Sequence, residues 1–465
     1  MEYLWQNASW VEKVKISLVT DGVFVIKEKS IGKKLVRALA HSLGGRYAVY
    51  GVQLVSMMVL ARLFTPEQFG FFAVIQVFSI FFVLFSEMGL GPALINEKKI
   101  GAKMRDGVFS LTWIIGAGLG LLFWLAAPAI SWFYENSLYS LLVIPVAISV
   151  TFNTALIVPL ASLTKDQLFF SIARCDVFAE LGSLALVLGL IGVIDPIWAL
   201  ACKPLAVALI KALLLWLASA GTITGRAGMS RDFDQVKPLL SFATYQLGFN
   251  ILNYFSRNLD NILVGKYFGV ISLGVYDKAY QLMRYPLMLL TFAMGPAIQP
   301  VLTEIKHDRH EFERLHNKFV KYMSLLGLVV GVAVYLLSEL IVQILLGSQW
   351  AAVTPLLQIL SITIPIQIVL SSSGGFFQAA GRADLLFKCG IFSSITNITA
   401  IAMGIWLGNL EILCWAILCS FSLNFFQCYY TLGKNLLPSG FLGVFKNMIV
   451  AIVGVAVFSF LVLAS

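Results

Sequence analysis

Apolar runs of about 20 residues recur along the whole chain, each closed by a short polar stretch. Runs of that length read as membrane-crossing helices. Thirteen spans follow from the pattern, near 43–63, 70–94, 107–128, 138–162, 174–194, 197–220, 239–266, 274–302, 320–345, 352–377, 386–408, 410–432 and 441–463. The long polar pieces are residues 1–40, about 222–238 and about 303–319.

The pattern repeats. "ARLFTPEQFGFF" from Ala61 aligns with "GKYFGVISLGVY" from Gly265, 204 residues further on. The same shift sets Gly91-Pro92-Ala93 over Gly295-Pro296-Ala297. Spans one and two therefore correspond to spans seven and eight. Six spans separate them, so the copies share one orientation, a parallel repeat about an axis along the membrane normal. The expected fold is all-α and polytopic, with two six-helix lobes in parallel pseudo-repeat plus one additional C-terminal helix. Residues 1–40 form a cytoplasmic or interfacial extension. Residues 41–222 and 239–433 form the lobes, 223–238 a cytoplasmic linker, and 434–465 the extra transmembrane helix.

Composition agrees. The chain is 59% hydrophobic and 12% charged, against about 25% charged in soluble domains. Its net charge of +9 gathers in alternate connections. Those after spans two, four, six, eight and ten carry Lys or Arg, while those after spans three, five, nine and eleven carry none. Basic connections mark the cytoplasmic side, which places the N-terminus in the cytoplasm and explains the excess without nucleic acid. No CxxC pair occurs, so no zinc or redox site is expected. Three of the four histidines lie in "HDRHEFERLH", which reads as a solvated amphipathic connector. The outer connections are too short to carry paired catalytic carboxylates, so an enzyme is not expected.

The interior charges are the candidate chemistry. In "NILNYFSRNLDNILVGKYFG", Asn250, Asn253, Arg257 and Asp260 advance by three, four and three residues and share one helix face. A charge at mid-membrane costs about 2.5–3.5 kcal/mol, so this face should look into the bundle. Either Arg257 and Asp260 pair as packing glue, or Arg257 lines a substrate path that Asp260 tunes. Arg46 and Glu87 lie in the inner parts of spans one and two, where they could neutralise each other. Lys203 and Lys211 share a face of span six, and Arg284 lies in span eight. Asp277 and Lys278 sit near the outer end and are expected to be solvated. A wet cavity with this basic excess would attract an anion, and the guanidinium fork suits phosphate. "SSSGGFFQAAGR" ends span ten, its double glycine expected to loosen the helix or admit a close neighbour.

"VLARLFTPEQFGFFAV", "FSEMGLGPALI", "NYFSRNLDNILVGKYFGVISLGVYDKAYQL" and "LLGSQWAAVTPLLQIL" occur in that order. Together they resemble the Wzx-type polysaccharide repeat-unit flippases, of which the colanic-acid and lipopolysaccharide exporters look nearest. These belong to the multidrug/oligosaccharidyl-lipid/polysaccharide transporter superfamily. The resemblance implies two six-helix lobes in a V, often followed by two extra helices, in the bacterial inner membrane. Here one extra helix is expected, without a fourteenth span. The implied activity is flipping undecaprenyl-diphosphate-linked oligosaccharides for surface-polysaccharide synthesis by alternating access. The implied partners are lipid-linked oligosaccharide and membrane lipid, with a polysaccharide polymerase and glycosyltransferases nearby.

On that reading Arg46 and Arg257 contact diphosphate. Arg284, Lys203 and Lys211 support them, and Asn250 and Asn253 bond cargo sugars. Asp260 and Glu87 are candidates for coupling to H+ or Na+, with no other cofactor. The alternatives are a cation-coupled drug exporter and a peptidoglycan-precursor lipid flippase of the same superfamily. The 204-residue shift sets Gln53 opposite Arg257 and Ser56 opposite Asp260, so the charged pair belongs to one lobe alone.

Overall fold

The structure, a computed structural model, describes residues 25–87, 89–97, 100–233, 254, 258–291, 302, 305 and 308–464. Each of the thirteen expected spans contains helix, and no strand occurs among the described residues. Span one is Val25–Leu63, span two Pro66–Glu87 continued by Leu90–Asn96, and span three Ala102–Tyr134. Span four is Leu138–Ala155 with Ile157–Lys165, span five Phe169–Leu190, and span six Pro196–Ala218. Residues 258–267 belong to span seven, and Gly269–Thr291 is span eight. Spans nine to thirteen are Arg309–Leu336, Val353–Ser361 with Thr363–Ala379, Ala383–Trp406, Leu410–Leu436 and Gly440–Ala464.

Local chemistry sets several starts. Asp195 caps span six by accepting from the Ile197 N–H at 3.0 Å, with Pro196 at the first helical position, where a missing N–H costs nothing. Asn409 caps span twelve in the same way, through the Glu411 N–H at 2.7 Å. Asp308 starts span nine by accepting from the N–H groups of His310 and Glu311, both at 3.0 Å. Span nine thus begins eleven residues before its expected edge. The "HDRHEFERLH" stretch supplies its first turns, and Phe312, Glu313 and His316 are buried. The expectation of a solvated connector is corrected there: the polar residues alternate with a face that packs under spans ten and twelve.

Among the described residues seven helices are long and apolar enough to cross a membrane, or eight if the bent pair Val353–Ser361 and Thr363–Ala379 is one span. Span five and span eight are too charged to join them. Span five carries Arg174, Asp176 and Glu180, and span eight carries Asp277, Lys278 and Arg284. Spans four and ten are each broken, at Leu156 and Ile362, with Pro159 and Pro365 three residues beyond the break. Proline lacks the N–H that would close the preceding turn. Span ten bends by 52° there. The double glycine of span ten lies instead within the continuous helix Thr363–Ala379 and does not break it.

The halves meet through the residues that align in the sequence. A methyl group on Gly70 would overlap the Val270 carbonyl, and one on Gly274 would overlap the Pro66 carbonyl. Gly70 and Gly274 are 204 residues apart, as are Pro66 and Val270. The contact is therefore reciprocal, the signature of an approximate twofold axis between the lobes. One hydrophobic core runs through both, with Phe64, Tyr139, Tyr276 and Trp350 each fully buried in it.

A charged seam between the lobes

The two helices that are too charged to be plain spans hold the interior chemistry. On span five, Asp176 and Glu180 are four residues apart and share a face. Antiparallel to it, span six carries Lys203 and Lys211. Lys203 Nζ lies 2.7 Å from Glu180 Oε1, and Lys211 Nζ lies 2.7 Å from Asp176 Oδ1. Both expected cations are thus paired, with carboxylates that the spacing along any single helix did not single out. The signal was present: two acids on one apolar helix, and two lysines on the next helix. Their pairing makes the interior less basic than the sequence reading held.

The second lobe faces this ladder with span eight. Lys278 is 5% exposed, which corrects the expectation that it is solvated. Its ammonium donates to Gln281 Oε1 at 2.9 Å, lies 3.3 Å from Asp277 Oδ2, and sits 4.3 Å above the Phe69 ring of the other lobe. An aromatic face and a neutral amide replace the water that burial removes. Lys203 and Glu180 act electrostatically on Lys278 and Tyr285 respectively, so the ladder and span eight share one electrostatic environment.

Asp260 is also buried, at 6% exposure. Its carboxylate accepts from the Tyr276 hydroxyl at 2.7 Å and from the Asn261 N–H at 2.8 Å. That bond ties span seven to span eight. Ser56, its counterpart in the first lobe, is fully buried, with no partner for its hydroxyl among the described residues. Position and burial are thus shared by the lobes, while the charge belongs to one.

Arg46 is exposed on span one and Arg284 on span eight. The two spans are joined where the Tyr47 hydroxyl donates to the Leu289 carbonyl at 3.0 Å. Next to Arg46, Gly45 lets span one approach span five, because a Cβ there would lie 2.7 Å from the Cβ of Ala173. Glu87 ends its helix, and its side chain lies outside the described residues. Asn250, Asn253 and Arg257 also lie outside them. His316 is fully buried, its Nδ1 3.0 Å from Asn317 Oδ1 and its ring 4.6 Å from that of Phe376. Among the described residues no cluster of His, Cys, Asp and Glu could hold a metal ion.

Comparison with known proteins fixes the family. The model of the family described as "Polysaccharide biosynthesis protein" matches residues 59–355, more than half of the chain. The chain belongs to the polysaccharide biosynthesis protein family. The lipopolysaccharide biosynthesis protein WzxC of Escherichia coli is 24% identical over 386 residues, covering 81% of this chain and 76% of that protein. The teichuronic acid biosynthesis protein TuaB of Bacillus subtilis is 23% identical, covering 72% and 69%. Among solved structures, the lipid II flippase MurJ in an inward closed conformation superposes with a TM-score of 0.69 at 14% identity, covering 89% of this chain and 97% of that one. The Vibrio cholerae MATE transporter VcmN superposes with a TM-score of 0.61 at 13% identity, covering 91% and 98%. This member of the polysaccharide biosynthesis protein family therefore has the helical transporter fold seen in those structures, and its likeness to WzxC agrees with the Wzx-type motifs.

Proposed function

We propose that the chain flips an undecaprenyl-diphosphate-linked oligosaccharide from the cytoplasmic to the outer leaflet of the bacterial inner membrane, for surface-polysaccharide synthesis. The observation that carries this is the set of buried charges on spans five and six of the first lobe and on span eight, whose Lys278 packs on Phe69 of the other lobe, in a member of the polysaccharide biosynthesis protein family. The diphosphate is the costly group to move through hydrocarbon, and fixed cations can stand in for its water. Arg46, Arg257 and Arg284 are the groups we assign to the diphosphate. Lys203 and Lys211 reach it only by exchanging partners with Glu180 and Asp176. Asn250 and Asn253 are assigned to the sugars, and Asp260 and Glu87 to coupling with H+ or Na+. The basic connections face the cytoplasm, and polymerase and glycosyltransferases act on either side of the transport step. A drug exporter for cationic compounds would favour an acidic interior, and the acids at 176 and 180 narrow the basic excess found in the spans. The polysaccharide names of WzxC and TuaB weigh for the lipid-linked sugar.

The test is translocation of a fluorescent undecaprenyl-diphosphate sugar in proteoliposomes. Arg257→Ala, matched to the parent in folded amount, is expected to lose at least about tenfold in rate, the scale of one charge-assisted hydrogen bond. Arg257→Lys should keep part of it. Unchanged flipping in Arg257→Ala would remove the diphosphate role.

A further inference from the structure

Two connections at one end of the bundle cross over to the opposite lobe. After span nine, Ile344 accepts through its carbonyl from Arg62 Nη2 at 2.8 Å. The Trp350 Nε1–H donates to the Ala61 carbonyl at 2.7 Å, and Gln349 Nε2 donates to the Phe64 carbonyl at 3.1 Å. The second lobe thus grips the end of span one. After span three, Glu135 Oε1 takes Lys266 Nζ at 2.7 Å, and the Tyr134 hydroxyl donates to the Ile262 carbonyl at 3.2 Å. The first lobe thus grips the end of span seven. Arg62 and Lys266 are the 204-residue counterparts noted in the sequence, so the two grips are pseudo-symmetric mates. Between them lies the reciprocal glycine contact, Gly70 on the Val270 carbonyl and Gly274 on the Pro66 carbonyl.

The grips are unequal. Trp350 is fully buried and stacks edge-on against Phe69, with ring centroids 5.4 Å apart. Its half is made of neutral donors and one guanidinium, all on backbone carbonyls. The other half depends on an ion pair whose Glu135 side chain is 82% exposed. Exposed pairs are weak and screened by salt.

We infer that these connections form a double clasp that holds the outer ends of the lobes shut. Its Lys266–Glu135 half yields first when the lobes part, while the Trp350 half remains as the fulcrum. Arg62, a cation on an outer connection, is then part of the clasp rather than a topology signal. The glycines set how tightly the clasp can close, because a backbone carbonyl cannot swing aside for a methyl group as a side chain can.

The experiment reads the outer separation directly, without substrate, so its failure would leave the transport reading standing. Spin labels on p-acetylphenylalanine at Ser137 and Glu339 report the distance between the outer connections in nanodiscs, with no change to native cysteines. The parent should show mostly the short distance. Lys266→Gln should lower the closed-to-open ratio by about one-and-a-half- to fivefold, the range for an exposed ion pair. Exchange of the charges in Lys266→Glu with Glu135→Lys should restore it. Gly70→Ala and Gly274→Ala should each abolish most of the short-distance population. Gly118→Ala, where nothing lies within 4 Å of the new methyl group, should not. An unchanged distribution in Lys266→Gln and Gly70→Ala, or no recovery on charge exchange, would overturn the clasp.

Discussion

The seam residues behave as pairs, and the pairs decide what a single substitution does. Glu180→Gln leaves the Lys203 ammonium partly buried without its carboxylate. Losing one partner of a buried pair costs about 3–5 kcal/mol, and less here because the Lys203 side chain is 20% exposed. A fall in stability of up to about 3 kcal/mol is expected in detergent melting. The double variant with Lys203→Met should recover most of it, since an apolar replacement needs no counter-charge. Equal loss in the single and double variants would mean that the two groups do not act together. At this scale the sequence reading found the cations inside the bundle but missed the acids at 176 and 180 that neutralise two of them. Lys203 and Glu180 lie 23 residues apart on different helices, and helical spacing speaks only within one helix. Lys278 was misread for the same reason. Its position near a span end suggested water, whereas Phe69 from the other lobe covers it.

Helix by helix, the pattern of apolar runs was a faithful guide, because a bilayer demands its length and its closed backbone hydrogen bonds from each run. What it missed are features that only a neighbour imposes. Spans three and nine each carry a pair of glycines four apart, Gly116 with Gly120 and Gly327 with Gly331. A Cβ on Gly120 would lie 2.7 Å from the Ala147 carbonyl oxygen of span four, and one on Gly327 would lie 2.7 Å from the Pro365 Cα of span ten. The broken spans four and ten are thus seated against glycine tracks. Gly327→Val should cost about 1–3 kcal/mol by overpacking, read as a lower melting temperature. Gly375→Val, in open space, should leave packing at its own site undisturbed. Equal destabilisation at both positions would argue against the track. The double glycine drew the eye in the sequence, yet Pro365 and the residues around Ile362 bend the helix, since a missing N–H disrupts a helix more than a missing side chain does.

For the whole molecule, pH acts on the clasp through one exposed group. The hydrogen bond from the Lys266 ammonium holds the Glu135 carboxyl below its ordinary value of 4.5. A carboxyl depressed in the closed state favours closure above its ordinary value, and that contribution is lost as pH falls through the depressed one. The closed fractions of the parent and of Glu135→Gln should therefore differ at neutral pH and draw together as the pH falls below 4.5 and through the depressed value. The spin-label distances measure this, and a gap that persists in acid would contradict it. Among the described residues, Lys266 is the charged group that acts on Glu135. The two-lobed plan itself was legible in the sequence, because the repeat preserved Gly70 and Gly274 with their surroundings. The seam was not, because it is where the lobes have diverged, as Asp260 and Ser56 show. The reciprocal glycine contact carries a consequence for ancestry. A surface that meets its own copy across a twofold axis is what two identical subunits present to each other. A single six-helix gene product could have paired through that surface as a homodimer before duplication and fusion joined the copies. Fusion then freed each half to acquire charges that a symmetric pair would have been forced to carry twice.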